Sequence, residues 1–235
     1  MINIKPNFPE LSNETELFVF DICDTLFLSN TTFDFIEFAL GEKALTIRSL
    51  LFKLFTKRFS PIFLCLYILQ KVTKVDWPKK LVLNLLKGFS KKELYTLGKL
   101  FEQRFLPSKK IEQTHQMLNN LVENHKKVVL VSASIDPVVS AIAFYLGVPF
   151  LSSMLEYDDD GLTTGNLTFE MTGKKLENIS QLLSFPTAKF AVATDNFSDR
   201  SLVEAAHQRF VIIYNTQARL FWQELNPYFI EIQSK

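Results

Sequence analysis

The chain has 235 residues, of which 47% are hydrophobic and 22% are charged, a composition that supports a folded core and excludes an intrinsically disordered protein. Its 2 cysteines, Cys23 and Cys65, show no metal-ligand spacing and indicate no oxidising compartment. The net charge of +1 hides a segregation, because residues 43–110 carry 16 Lys or Arg against 3 Asp or Glu, whereas the rest carries 10 against 22.

The N-terminus, MINIKPNFPELSNETE, is polar and lacks the apolar stretch of a secretory signal peptide. The apolar run at 59–70 contains Pro61 and is shorter than the about 20 residues that a membrane-spanning helix requires. These features predict a soluble, cytoplasmic protein.

Short apolar runs bounded by turn residues predict buried parallel strands at 17–20, 128–131, 190–194 and 210–214, with a weaker one at 149–151. Helical patterns separate them. In the helix after 128–131, Asp136 is placed to cap, Pro137 lies in the first turn and Gly147 ends the helix. This alternation predicts an α/β protein with a doubly wound, Rossmann-like parallel sheet, whose active site lies at the carboxyl ends of the strands.

The region after the first strand contains no convincing strand and predicts an all-helical insert. Ser90 and Glu93 form a capping box, and Leu94, Leu97, Phe101 and Phe105 share the buried face of the helix that follows. We therefore predict an α/β core domain of residues 1–32 and 106–235, and a helical cap domain of residues 33–105.

Residues 154–170 alternate around Asp160-Gly161 and predict a β-hairpin. Three consecutive Asp residues, 158–160, precede the turn. A calcium loop spreads its ligands over about 12 residues and ends in Glu, so we interpret the three Asp residues as a solvated turn.

Side chains that can bind ligands or take part in catalysis follow the predicted strands. Asp21 ends the first strand within FDICDTL, and Ser132 ends the second within VLVSAS. Asp195 and Asp199 follow the strand at 190–194 within ATDNFSD, and GKKLENI supplies an adjacent lysine. A parallel sheet gathers these strand ends at one edge, and three acids, a hydroxyl and an ammonium suit a divalent cation with a phosphoryl group.

These four motifs, in this order and spacing, resemble the haloacid dehalogenase (HAD) superfamily. The resemblance is closest to its phosphoserine-phosphatase-like branch (HAD-IB-like), in which a helical C1 cap follows the first strand. LEYDDDGLTTGNL also resembles the hairpin of that branch. The resemblance covers nearly the whole chain and is least specific in the cap.

The resemblance implies that Asp21 is the nucleophile and takes the phosphoryl group as an aspartyl-phosphate. It implies Mg²⁺ as the cofactor, held by Asp21, Asp195 and the backbone carbonyl of Cys23. Asp199 would ligate the ion or support the other ligands.

The resemblance also implies that Ser132 and a lysine hold the phosphoryl oxygens, with backbone N–H groups of Asp24 and Thr25 as further donors. Lys175 is preferred to Lys174, because it begins the Lys-apolar-x-x-apolar run that the branch shows.

One position departs from the family, which has an Asp two residues after the nucleophile as general acid/base. This chain has Cys23 there, and a one-residue shift would turn the Asp24 side chain away from the substrate. Losing a positioned acid/base costs about 10²–10⁴-fold in rate. Cys23 is then either a weak proton donor or a small buried side chain that takes no part in catalysis.

The sequence thus predicts a Mg²⁺-dependent phosphatase for a small or amphipathic phosphate monoester, slow because of Cys23. Two alternatives remain: a catalytically impaired protein that binds a phosphorylated ligand or a partner, and a hydrolase of phosphonates or haloacids. Asn30 stands where phosphoserine-specific relatives carry an acid, so phosphoserine specificity is not predicted.

Cap residues 48–72 combine a large apolar surface with Lys53, Lys57, Arg58 and Lys71. One interpretation is a cap with a buried inner face and a solvated outer face. The other is a patch that contacts an anionic membrane or a phospholipid-like substrate. We expect no nucleic-acid partner, because the lysines alternate with apolar residues and no binding motif is present.

Overall fold

The structure, a computed structural model, describes residues 12, 14–57, 60–73, 75–183 and 189–232. The predicted polar N-terminus, residues 1–11, lies outside this part of the chain. The strands are β1 (Thr15–Phe20), β2 (Val128–Ile135), β3 (Phe150–Tyr157), β4 (Thr163–Phe169), β5 (Lys189–Thr194), β6 (Gln208–Ile213) and β7 (Tyr228–Glu231). The α-helices are α1 (Thr31–Glu42), α2 (Thr46–Thr56), α3 (Pro61–Thr73), α4 (Trp77–Asn84), α5 (Lys91–Arg104), α6 (Glu112–Glu123), α7 (Asp136–Leu146), α8 (Lys175–Ser180), α9 (Arg200–Ala205) and α10 (Thr216–Trp222).

The strands form one 7-stranded sheet in the order β4-β3-β2-β1-β5-β6-β7, in which only the β3–β4 pair is antiparallel. The predicted doubly wound α/β fold is therefore confirmed. All five predicted strands are present, although β2 and β3 run several residues beyond the predicted ends. The edge strand β7 has no counterpart among the predictions.

Alternate residues of β1 build the cores on the two faces of the sheet. Phe18 and Phe20 pack in one core with residues of α1, α5 and α7, whereas Leu17 and Val19 pack in the other, which includes Trp222 of α10. A central strand that is apolar on both faces fits a sheet covered by helices on both sides.

The region between β1 and α6 is helical in the described residues, as predicted. Ser90 and Glu93 form the predicted capping box at the start of α5, whose residues Leu94, Leu97 and Phe101 are buried as predicted. Phe105 is only partly buried, because it lies at the C-cap, where the helix ends. Residues of α1 and α5 share one apolar core with the sheet. The division into a core domain and a cap domain remains a prediction.

Two local predictions have different outcomes at α7. Gly147 ends the helix with a φ of 67°, a left-handed conformation that glycine adopts readily, and this prediction is confirmed. The predicted capping role of Asp136 is wrong. Its carboxylate accepts hydrogen bonds from the Leu155 N–H at 2.8 Å and the Tyr95 hydroxyl at 2.6 Å, so tertiary partners replace the local cap.

The predicted hairpin is β3–β4, with Gly161 at a φ of 73°. Asp158 Oδ1 accepts from the backbone N–H groups of Asp160 and Leu162, so the acidic stretch forms a turn that its own hydrogen bonds stabilise.

In the described part of the chain, no helix is both long and apolar enough to cross a membrane.

Candidate active site

The ends of β1, β2 and β5 lie side by side, because Phe20 pairs with both Leu130 and Ala193. Asp21 follows at this edge of the sheet and is only 4% exposed. Its backbone N–H donates to the Ala193 carbonyl at 2.9 Å, and its Oδ1 accepts from the Ile22 N–H at 2.7 Å. The backbone thus fixes one carboxylate oxygen of Asp21.

Lys175, the first residue of α8, approaches the other oxygen. Its Nζ lies 2.8 Å from Asp21 Oδ2 and 2.7 Å from Asp199 Oδ2, which also accepts from the Thr194 hydroxyl at 2.7 Å. Burial acts to lower the pKa of Lys175, but the attraction of Asp21 and Asp199 outweighs it and raises that pKa. Lys175 is therefore a cation shared between two buried carboxylates.

Lys174 lies outside this arrangement. It is exposed, and its Nζ lies 5.3 Å from the centre of the Phe169 ring. Of the two lysines in the GKKLENI motif, the structure brings only Lys175 to the strand ends.

Asp195 lies beside Asp21 without a cationic partner in the described residues. The Thr25 hydroxyl donates to Asp195 Oδ1 at 3.0 Å and accepts from the Asp195 N–H at 3.1 Å. Burial, together with the charges of Asp21 and Asp24, raises the pKa of Asp195 to about 8. Without a bound cation, burial and the neighbouring carboxylates therefore favour the protonated form of Asp195.

The four predicted metal ligands do not form a ready site. Among the residues described, no three Asp, Glu, His or Cys side chains are grouped so that they could hold a metal ion, and Asp199 Oδ2 accepts from Lys175 and Thr194. Carboxylate oxygens are nevertheless donors that Mg²⁺ prefers, and a bound cation would relieve the burial and repulsion that raise the pKa of Asp195. Asp21 and Asp195 supply such oxygens at this edge, whereas the Asp199 carboxylate bonds to Lys175.

Cys23 belongs to a cluster of neutral side chains. Its Sγ lies 3.1 Å from Thr31 Oγ1 and 3.2 Å from Ser134 Oγ, and these two hydroxyls lie 2.5 Å apart. Burial and then the charge of Asp21 raise the pKa of the Cys23 thiol, so the thiol stays protonated near neutral pH. The sequence interpretation missed Thr31 and Ser134; the signal for Ser134 was its position two residues after Ser132 on the same strand.

The predicted phosphate-binding residues lie in different places. Ser132 is buried at the cavity wall, and its hydroxyl accepts from the Ser134 N–H at 3.3 Å. The Thr25 N–H donates to the Ile22 carbonyl at 3.3 Å, so it is not the free donor that was predicted. Asp24 has a φ of 46°, and its carbonyl accepts from the Tyr214 hydroxyl.

A cavity of about 220 Å³ opens at this edge. It is lined by Asp21, Cys23, Asn30, Thr32, Phe33, Asp76, Lys79, Ser132, Ala133, Ser134, Thr172 and Asn196. Lys175 and Asp199 do not line it. A ligand in the cavity therefore meets the Asp21 carboxylate first, with the ammonium behind it.

Lys79 of α4 reaches into this cavity and was not identified from the sequence. Its Nζ donates to the Ala133 carbonyl at 3.1 Å and to Glu170 Oε1 at 2.9 Å. Asp76, Lys79 and Thr172 also line an adjoining cleft of about 430 Å³ between α4 and β4. The cavity and the cleft thus share a wall.

Comparisons with known proteins agree with this fold. The sequence model of the haloacid dehalogenase-like hydrolases matches residues 18–203. A Bordetella pertussis Tohama I protein of unknown function is 19% identical, with a TM-score of 0.75 over 92% of this chain and 98% of its own. A phosphoserine phosphatase, solved as an analogue of its phospho-aspartyl intermediate, is 16% identical, with a TM-score of 0.58 over 94% of each chain.

A cytosolic 5′-nucleotidase IIIB bound to cytidine is 13% identical, with a TM-score of 0.60 over 93% of this chain and 80% of its own. No curated protein matches the sequence. At these identities the solved structures show a shared fold.

Proposed function

Because the chain belongs to the haloacid dehalogenase-like hydrolases, as its motifs predict, we propose that it is a Mg²⁺-dependent phosphatase that hydrolyses a phosphate monoester through Asp21. The observation that carries this proposal is the buried ion pair of Asp21 with Lys175, 2.8 Å long, in which the Asp21 carboxylate lines the cavity and the ammonium lies behind it. A carboxylate held in place by a buried ammonium fits a nucleophile whose added negative charge is offset nearby.

In the first step, an Asp21 carboxylate oxygen forms a bond to phosphorus. The ester oxygen leaves with the bonding electron pair and takes up a proton. In the second step, water attacks phosphorus, which releases inorganic phosphate and restores Asp21. In both steps the Ser132 hydroxyl would donate to a phosphoryl oxygen, and the Lys175 ammonium behind Asp21 would offset the added negative charge.

Asp21, Asp195 and the Cys23 carbonyl would hold Mg²⁺. The bound ion supplies positive charge next to the phosphoryl oxygens. Asp199 keeps Lys175 in place, because its Oδ2 accepts from both Lys175 and Thr194.

The leaving group lacks a strong acid, because the Cys23 cluster is neutral. Esters whose leaving group needs little protonation are therefore the best substrates, and alkyl esters react slowly. The same cluster supports a second candidate function, the binding of a phosphorylated ligand or partner without turnover.

The part of the substrate that leaves as an alcohol would lie toward Lys79, because Lys79 lines both the cavity and the adjoining cleft. The cleft is lined by apolar Val75, Leu83 and Leu167 as well as by charged residues. The polar and apolar parts of this lining suit a small or amphipathic phosphorylated substrate.

A chromogenic aryl phosphate, assayed with Mg²⁺ and with EDTA, tests the proposal. We expect turnover that requires Mg²⁺ and that Asp21→Asn abolishes. Beryllofluoride binding without turnover would favour the ligand-binding function. Full activity in EDTA or in Asp21→Asn would contradict the proposal.

A further inference from the structure

Helix α3 is almost wholly apolar in sequence, yet none of its residues is buried. Leu64, Ile68 and Val72 are 57%, 55% and 77% exposed, and Ile47 and Leu50 of the neighbouring α2 are 78% and 61% exposed. A helix that is apolar on all sides normally lies in a protein core or in lipid. The interpretation of this region as a cap with a buried inner face therefore fails at α3.

The surface of α2 and α3 is also cationic. Residues 44–75 contain 6 Lys or Arg and no Asp or Glu. Lys53, Lys57 and Lys71 are exposed, and Lys71 Nζ lies 4.7 Å from the centre of the Tyr67 ring. A second copy of this surface would bring like charges together, whereas an anionic surface complements them.

We propose that α2 and α3 form a docking surface for an anionic lipid bilayer. The 13 residues of α3 span about 20 Å, which is less than the hydrocarbon thickness of about 30 Å, so the helix lies along the membrane plane. Its apolar side chains enter the acyl boundary. Lys53, Lys57 and Lys71 extend to the lipid phosphates.

The position of α3 brings the active-site cleft to the bilayer. Trp77 Nε1 donates to Thr73 Oγ1 at 2.9 Å, which ties the end of α3 to the start of α4. The α4 cap residue, Asp76, lines both the cavity beside Asp21 and the adjoining cleft. Docking of α3 would therefore bring the cleft toward the lipid headgroups. The docking itself does not depend on catalysis.

Co-sedimentation with lipid vesicles tests the proposal on the full chain. We expect binding to phosphatidylcholine vesicles that contain phosphatidylserine at low salt, and its loss at high salt or with phosphatidylcholine alone. The triple variant Lys53→Glu, Lys57→Glu and Lys71→Glu should bind at least about tenfold more weakly.

Leu64→Glu with Ile68→Glu should also weaken vesicle binding, because charges replace side chains that enter the membrane. Lys127→Glu and Leu220→Glu, single changes of the same types at exposed residues outside α2 and α3, serve as controls and should bind like the parent protein. Circular dichroism checks the fold of each variant. Asp21→Asn should bind normally, which separates docking from catalysis.

Three results would overturn the proposal: no binding to the anionic vesicles at low salt, equal binding by the triple variant and Lys127→Glu, or a lipid-free dimer that the Leu64 and Ile68 changes dissociate. The last result, from sedimentation velocity, would assign the surface to a second copy of the chain.

Discussion

Lys175 donates to Asp21 at 2.8 Å and to Asp199 at 2.7 Å, and all three residues are at most 4% exposed. At the scale of single residues, this arrangement combines stability with chemistry. The ammonium compensates carboxylates that would otherwise be buried without a cation, and the same pairing holds Asp21, the proposed nucleophile, in position.

Replacing Lys175 tests this dual role. Lys175→Met should lower the free energy of unfolding by about 3–5 kcal/mol, because two buried carboxylates lose their cation. Lys174→Met, at the exposed neighbour, should change it by less than about 0.5 kcal/mol. Urea denaturation of both variants measures the difference. Equal stability of the two variants would show that the ion pair contributes nothing.

Restoring an acid at position 23 should raise the phosphatase rate. An Asp carboxyl there would lie near the hydroxyls of Thr31 and Ser134, and a positioned acid/base contributes about 10²–10⁴-fold. Cys23→Asp should therefore accelerate alkyl phosphates more than aryl phosphates, while Cys23→Ser, which also lacks an acid, should not. An unchanged or lower rate in folded Cys23→Asp would refute the assignment of this position.

His115 should make stability depend on pH. It is 5% exposed, its Nδ1 lies 3.1 Å from the Ile111 carbonyl, and its Nε2 has no partner among the described residues. Burial is the main cause that lowers the pKa of His115, so the unfolded chain binds the proton more tightly. Stability is therefore complete above the unfolded pKa of about 6.5 and falls as the pH drops below it.

The variant His115→Phe isolates this effect. It keeps an aromatic ring against Phe27, whose ring centre lies 4.8 Å away, and removes the titrating group. Between about pH 7.5 and 5.5, the melting temperature of His115→Phe should fall less than that of the parent. If the melting temperatures of the two proteins fall equally with pH, His115 does not cause the pH dependence of stability.

At the scale of elements, α5 and α7 approach each other at Gly98. A Cβ placed there would lie 2.3 Å from the Pro137 carbonyl oxygen, so the two helices touch through backbone atoms. This contact joins the helical region after β1 to the helix that follows β2. The start of α7, beside Ser132 and Ser134, is thereby fixed.

Gly98→Ala should destabilise the protein by about 1–3 kcal/mol, because the backbone of α7 has to move. Gly41→Ala is the matched helical control: nothing lies within 4 Å of its Cβ, and it should be neutral or stabilise by up to about 1 kcal/mol. Thermal unfolding compares the two. A Gly98→Ala protein as stable as the control would contradict the close packing.

At the scale of the whole molecule, the predictable parts were those encoded locally. Apolar runs predicted the central strands, and motif order predicted that Asp21, Lys175 and Asp195 meet. Contacts between distant segments were not predictable: Lys79 bonds to Glu170, 91 residues away, and no local pattern marks that pair. For Asp136 the local pattern was misleading: the sequence predicted a helix cap, but the carboxylate bonds to the distant Tyr95 instead.

Acid-quench mass spectrometry can detect the proposed transfer of the phosphoryl group to Asp21. The protein would be mixed with Mg²⁺ and an aryl phosphate, quenched within the first turnover and digested. We predict a hydroxylamine-sensitive phosphate on the peptide that contains Asp21, and none in Asp21→Asn. Turnover with no phosphate on that peptide, or with phosphate on another residue, would contradict the account.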